Sequence, residues 1–161
     1  AALFSEKDES DVKTFSIGYE GNYESYKNEL TFAQLAAQNA GATYHEHLLT
    51  AENLIDFLPE MIKLQDEPIA DPVCVPLYYV SKLAKDNDVT VCQVGEGADE
   101  LLGGYLYFLS APSEKEFYEE TQRRVKDLGY FDCLRANKST LAWGLEGRVP
   151  FLDKEFLDFY M

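Results

Sequence analysis

The sequence predicts an α/β fold, an open parallel sheet with helices over residues 1–104 followed by a mainly helical part over 105–161. Two observations carry this. Strand-like and helix-like segments alternate along the first two thirds of the chain, which implies parallel pairing through right-handed crossovers. From Ser113 onward the pattern turns helical, opened by a capping box in Ser113 and Glu116 ahead of Phe117 and Val125.

The elements follow in order. Val12 to Ile17 is rich in Val, Thr, Phe and Ile, suits a buried strand, and is ended by Gly18. Tyr26 to Asn39 places Leu30, Ala33, Ala37 and Ala40 near helical spacing, with Gly41 as the C-terminal stop. Thr43 to Leu48 returns to strand character. Thr50 caps a helix through Leu54, Ile55, Leu58, Met61 and Ile62, in which Pro59 argues for a kink or break. Asp66-Glu67-Pro68 and Asp71-Pro72 mark a loop, and Pro76 starts a helix over Leu77, Val80 and Leu83. Val89 to Val94 reads as the most convincing buried strand. No repeat or low-complexity stretch interrupts the pattern.

Composition narrows the function. At 161 residues and 46% hydrophobic content the chain can build one core. It carries 29 acidic against 14 basic side chains, so nucleic acid and anionic membrane surfaces are excluded as partners unless a basic patch is segregated. The densest basic group, Arg123, Arg124 and Lys126, lies among Glu119, Glu120 and Asp127 and reads as a solvated helix face. Cys74, Cys92 and Cys133 are widely spaced and odd in number, which suggests neither a disulfide framework nor a zinc site and fits a cytoplasmic protein. Ala1 to Phe4 is too short for a signal peptide or a membrane span. Those residues look like the tail of a helix, and Glu155 to Met161 stops without Gly, Pro or a polar tail, so the sequence is expected to be cut from a longer polypeptide.

The chemistry concentrates at Val94-Gly95-Glu96-Gly97-Ala98-Asp99-Glu100, followed by Leu101-Leu102-Gly103-Gly104-Tyr105. This run directly follows the strand over Val89 to Val94, where α/β sheets bind ligands. The glycines let backbone N–H groups approach a phosphate or ribose, and a helix starting near Ala98 adds its partial positive end. The carboxylates there would repel a nucleotide directly, but they make sense if magnesium bridges them to pyrophosphate or if one handles a proton. A tight turn with acidic residues capping a surface helix is the plain structural alternative.

The string resembles the S-G-E-G-x-D-E-x-x-G-G-Y motif of the asparagine synthetase family, with Val94 in place of the serine. Similarity continues at Tyr105-Leu106-Tyr107-Phe108, Ala111-Pro112 and Glu119-Glu120-Thr121. It runs on through Asp132-Cys133-Leu134-Arg135-Ala136-Asn137-Lys138, Ala142-Trp143-Gly144 and Arg148-Val149-Pro150-Phe151-Leu152-Asp153, too many matches for coincidence. Thr14-Phe15-Ser16-Ile17-Gly18 and Asp66-Glu67-Pro68 add weaker ones.

The resemblance implies an adenine nucleotide α-hydrolase-like sheet and an ATP-dependent ligase. Aspartate would attack ATP to give β-aspartyl-AMP and pyrophosphate, and ammonia from glutamine would then displace AMP to form asparagine. It implies Ile17 near the adenine, and Val94, Gly95 and Gly97 at the nucleotide. Glu96 is implied in forming the acyl-adenylate and accepting a proton, and Asp99 near pyrophosphate or its Mg2+. Arg124 takes the place of a basic residue of the family, and Asp132 and Arg135 fall in a helical motif facing the same cleft. Val94 departs from the motif and removes one possible hydrogen bond to the nucleotide.

The family's S-G-G-x-D-S pyrophosphate loop, a later lysine and the glutaminase domain with its N-terminal nucleophilic cysteine do not occur in this sequence. The chain alone is therefore expected to be inactive, with the glutaminase domain as its missing partner and a homodimer as an arrangement of the full-length protein. Two other readings stay open. One is a family amidotransferase acting on another carboxylate such as a sugar acid, with Asp66 to Pro76 setting specificity. The other is a truncated, non-catalytic binding module. His45 and His47 share a strand face, but without a third ligand at motif spacing a metal role is disfavoured. Tyr105, Tyr107 and Phe108 read as packing, and Asn137-Lys138-Ser139 carries no meaning as a glycosylation acceptor without a secretion signal.

Overall fold

A computed structural model describes residues 2–7, 11–21, 29–67, 69 and 71–161. The chain divides into two compact units, Ala1–Val89 and Thr90–Met161, each described by itself below.

In the first unit, α1 (Ala2–Ser5) precedes β1 (Lys13–Tyr19), α2 (Leu30–Asn39), β2 (Thr43–Leu49), α3 (Ala51–Leu64) and α4 (Cys74–Asp86). β1 and β2 pair in parallel, with Ile17 opposite His47 and Gly18 opposite Leu48, as expected of strands joined through a helix. β1 runs one residue past Gly18, because Glu20 N–H continues the ladder to the Leu49 carbonyl at 2.9 Å. The sequence expectation for α2 begins at Tyr26; residues 26–28 lie outside the described ones, and the helix is seen from Leu30.

α3 is fixed by its start. The Thr50 hydroxyl accepts from Asn53 N–H at 3.2 Å, and the Asn53 side chain accepts from Thr50 N–H at 3.0 Å, a reciprocal cap that satisfies two otherwise orphaned donors. Pro59, expected to kink or break this helix, does not end it: α3 continues to Leu64. Proline removes one hydrogen bond in mid-helix. Against that stand the cap and a buried face, since Phe57 is in the core with Leu49 and Val75, and Leu54, Met61 and Leu64 pack on the same cluster. α4 starts two residues before Pro76, where Asp71 Oδ1 accepts from Val73 N–H at 2.9 Å and turns the chain into the helix. Its Tyr78 ring stacks on Phe57 at 4.1 Å.

The second unit contains β3 (Val91–Gln93), α5 (Ala98–Leu102), a 3-10 turn at Leu106–Ser110, α6 (Glu114–Asp127), a 3-10 turn at Leu128–Tyr130, α7 (Asp132–Leu141), β4 (Glu146–Arg148), a 3-10 turn at Pro150–Leu152 and α8 (Lys154–Tyr160). Ser113 caps α6 as expected, accepting from Glu116 N–H at 3.5 Å. One expectation is corrected here. The buried strand expected over Val89 to Val94 is three residues long, and Val91 is 42% exposed. Among the helices from Ser113 onward lies β4, which pairs in parallel with β3. β4 reads Glu146-Gly147-Arg148 and is exposed throughout, so it has no apolar alternation by which to be recognised.

The architecture is thus mixed α/β and mostly helical. Among the described residues the strands form two separate two-stranded parallel sheets rather than one open sheet. No helix among them is long and apolar enough to cross a membrane.

Candidate functional site

The turn from β3 into α5 is built by geometry that leaves little choice of residue. Val94 N–H donates to the Arg148 carbonyl at 2.8 Å and ends the ladder, after which the chain leaves the sheet at exposed Gly95. Gly97 has φ +90°, a backbone shape that side chains disfavour, and it closes the turn with its carbonyl accepting from Leu101 N–H at 3.0 Å. α5 is only five residues long, so its dipole contributes less than a full helix would. It stops where Gly104 N–H donates to the Asp99 carbonyl at 2.9 Å. Asp99 lies directly over Gly104, where an added Cβ would stand 3.2 Å from the Asp99 Cα.

This turn and α7 bring three of the expected residues together. Arg135, 8% exposed on α7, places its Nη2 2.7 Å from Asp132 Oδ1 and 3.9 Å from Glu96 Oε2. The guanidinium therefore bridges the two carboxylates from a largely buried position, where water screens their interaction less than it would at the surface. Asp99 is exposed on α5, apart from this bridge.

Arg124 is held differently. Its Nε donates to Glu120 Oε1 at 2.7 Å, one turn back on α6, and its guanidinium carbon lies 4.6 Å from the centre of the Tyr107 ring. Hydrogen bonds from Arg123 and Arg124 pull the Glu120 carboxyl down to about 2, and the bond that Arg124 donates to Glu120 in turn raises Arg124. Val94, with Cys133, Asn137, Thr140 and Gly147, lines a cavity of about 330 Å³. Burial, then the charges of Glu96, Asp132 and Glu100, pushes the Cys133 thiol up and keeps it protonated at neutral pH.

Ile17 belongs to the first unit and packs from β1 against the Leu49, Phe57 and Val75 cluster. The rings of His45 and His47 on β2 stack on Phe15 at 5.2 Å and on Tyr79 at 5.9 Å. Among the described residues no three His, Cys, Asp or Glu side chains are grouped to hold a metal ion. A magnesium ion would thus meet at most a carboxylate such as that of Asp99 and would need the oxygens of a bound phosphate to complete its shell.

Sequence reasoning counted Glu100 only among the carboxylates of the string, with no role of its own, and in the structure it is closely held. Its side chain is buried, with the residue 5% exposed, and Tyr105 donates its phenolic hydrogen to Glu100 Oε1 at 2.7 Å. Desolvation first, and then that bond to a carboxylate, raises the Tyr105 phenol well above its ordinary value of 10.0. A charged residue placed directly before Leu101 and Leu102, five positions ahead of a tyrosine, is the trace this pair leaves in the sequence.

Comparison with known proteins decides the lineage. The asparagine synthase family model matches residues 1–118 and 110–161, the whole chain. The chain belongs to the asparagine synthase family. Glutamine-hydrolysing asparagine synthetase 2 of Arabidopsis thaliana is 44% identical over 154 residues, 94% of this chain and 26% of that protein. Glutamine-hydrolysing asparagine synthetase 1 of Saccharomyces cerevisiae is 45% identical over 135 residues, 83% of this chain and 24% of the relative. A probable glutamine-hydrolysing asparagine synthetase of Schizosaccharomyces pombe is 44% identical over 149 residues, covering 91% and 26%. The chain thus spans about a quarter of the length of the curated asparagine synthetases it matches.

Proposed function

We propose that the protein carrying this chain is an ATP-dependent ligase that makes asparagine from aspartate through β-aspartyl-AMP, taking ammonia from glutamine hydrolysed elsewhere in the polypeptide. One observation carries the reading: Glu96 on the β3–α5 turn lies against Arg135, which is in turn paired with Asp132.

In the first step a β-carboxylate oxygen of aspartate attacks the α-phosphorus of ATP, and the bond to pyrophosphate breaks. In the second, ammonia attacks the acyl carbon, AMP leaves, and the nitrogen gives up a proton. Arg135 suits the first step, because a largely buried cation held in place by Asp132 meets negative charge developing on oxygen without reorganising. Glu96 suits the second as proton acceptor, since its carboxylate stands at the mouth of the same turn and is partly shielded from water. Val94, Gly95 and Gly97 are the backbone that approaches the nucleotide. Asp99 faces pyrophosphate and its Mg2+, which when bound would neutralise charge on the phosphates. We place the protein in the cytoplasm, a compartment that suits the thiols of Cys74, Cys92 and Cys133.

Glu96→Gln in the complete natural protein tests this. It keeps the shape and removes the base, so asparagine formation should fall by a factor of about 100 or more. Release of pyrophosphate and AMP should be followed over a panel of carboxylates. Full activity of the variant would remove Glu96 from the reaction, and preference for a carboxylate other than aspartate would replace the substrate.

A further inference from the structure

Beside the Glu96–Arg135–Asp132 bridge the second unit holds a cavity of about 270 Å³, formed where α5, α6 and the start of α7 meet. It lies just below the roughly 300–1,000 Å³ of sites that take drug-sized ligands, which suits a single amino acid better than a nucleotide. Its wall carries charge of both signs. Arg123 and Asp127 pair with one another at 3.2 Å. Arg124, Glu100 and Asp132 line the same cavity.

These three are differently committed. Arg124 uses its Nε on Glu120 and its face on Tyr107, and neither contact is made through an Nη hydrogen bond. Glu100 is a carboxylate nineteen-twentieths buried, fixed by the Tyr105 hydroxyl at Oε1, and it lines the cavity. Holding a carboxylate in such surroundings is costly unless a positive group meets it. Asp132 lines the same cavity and is also the partner of Arg135, so one residue joins this cavity to the bridge that carries Glu96.

A small cavity lined by both a guanidinium and a fixed, buried carboxylate matches a small zwitterion. We propose that this cavity is the subsite for the α-amino and α-carboxyl groups of the acceptor amino acid. The Nη groups of Arg124 receive the α-carboxylate, and Glu100 with Asp132 receives the α-ammonium. The β-carboxylate is then left on the Asp132 side, toward Arg135 and Glu96. This rests on the ligase reading above and deepens it, because it says why a carboxylate bearing an adjacent ammonium and a second carboxylate is chosen over simpler acids. It also gives Arg124 a task at the amino acid.

The experiment uses the complete natural protein and three probes, with binding measured by calorimetry in the presence and absence of a non-hydrolysable ATP analogue. Aspartate carries both recognised groups, succinate lacks the ammonium, and β-alanine lacks the α-carboxylate. Arg124→Gln should weaken aspartate and succinate by a factor of about 10 to 100 and leave β-alanine unchanged, the loss expected of one charge-assisted contact. Arg124→Lys should recover part of it. Glu100→Gln should do the reverse, weakening aspartate and β-alanine and sparing succinate. Equal weakening of all three probes by either variant, an unchanged aspartate affinity in Arg124→Gln, or no binding of aspartate to the unaltered protein would overturn the subsite. Because Arg124 is partly exposed and its replacement leaves the buried pair intact, that arm stands even if Glu100→Gln fails to fold. Binding needs no turnover, so a protein that binds aspartate in this pattern yet forms no AMP would keep the subsite and reject the ligase.

Discussion

A methyl group at position 97 would run into the side chain of Leu152, and the backbone there has φ +90°. Gly97→Ala therefore combines a steric clash with a disfavoured conformation, and should cost about 1–3 kcal/mol of stability. Gly95 is different: nothing lies within 4 Å of where its Cβ would be. Gly95→Ala should fold normally and be felt only when a ligand comes close to the backbone. Thermal unfolding of the two variants with and without ATP separates the roles. Gly97→Ala should lower the midpoint in both conditions, whereas Gly95→Ala should match the unaltered protein without ATP and lose part of the rise that ATP gives. If Gly95→Ala keeps the full rise, the nucleotide does not approach that glycine. The same contrast shows what a motif tells a reader in advance. Two glycines and three acidic residues after a strand announce a ligand loop, but which glycine serves the fold and which the ligand depends on Leu152, a residue 55 positions from Gly97.

Among the elements, legibility follows length and capping. α3 could be read because Thr50 and Asn53 fix its start and its apolar positions recur at helical spacing, and α6 because Ser113 does the same. Thr50→Ala should accordingly cost about 1 kcal/mol, and Asn53→Ala part of that, because each leaves one backbone donor of the first turn without its partner. Urea unfolding of the chain would show it as a lower midpoint at unchanged slope. An unchanged midpoint would mean that water replaces the cap at no loss. The β3–β4 pair could not be read in the same way. Strands of three residues, mostly exposed, carry no usable periodicity, and their pairing is set by the long-range bonds from Val94 to Arg148 and from Glu146 to Thr90. The site shared this fate in part. Glu96, Asp132 and Arg135 stood out in the sequence by their motifs, but the burial of Glu100 and the cavity it shares with Arg124 exist only once α5, α6 and α7 are packed.

For the molecule taken whole, the formal charge of −15 sets how stability answers to salt and acid. Several ion pairs lie on helix surfaces, among them Lys82–Asp86, Lys115–Glu119 and Lys154–Asp158, and exposed pairs of this kind each contribute on the order of 0–1 kcal/mol. Salt weakens these, but it also weakens repulsion among an excess of carboxylates that has no cations to meet, and the excess is the larger quantity. The Glu120 carboxyl behaves oppositely toward acid. Its value falls from 4.5 to about 2 on folding, so its pairing with Arg123 and Arg124 stabilises the fold above the unfolded value and is lost as pH drops from 4.5 toward 2. Near neutral pH that pairing is fully formed and the repulsion dominates. The melting midpoint of the chain at pH 7 should therefore rise as salt goes from about 0.01 M to about 0.15 M, over which the screening length shrinks from about 30 Å to about 8 Å. A midpoint that falls over the same range would show that the helix-surface ion pairs outweigh the surplus negative charge, and that the carboxylates are spaced widely enough on the folded surface to be harmless.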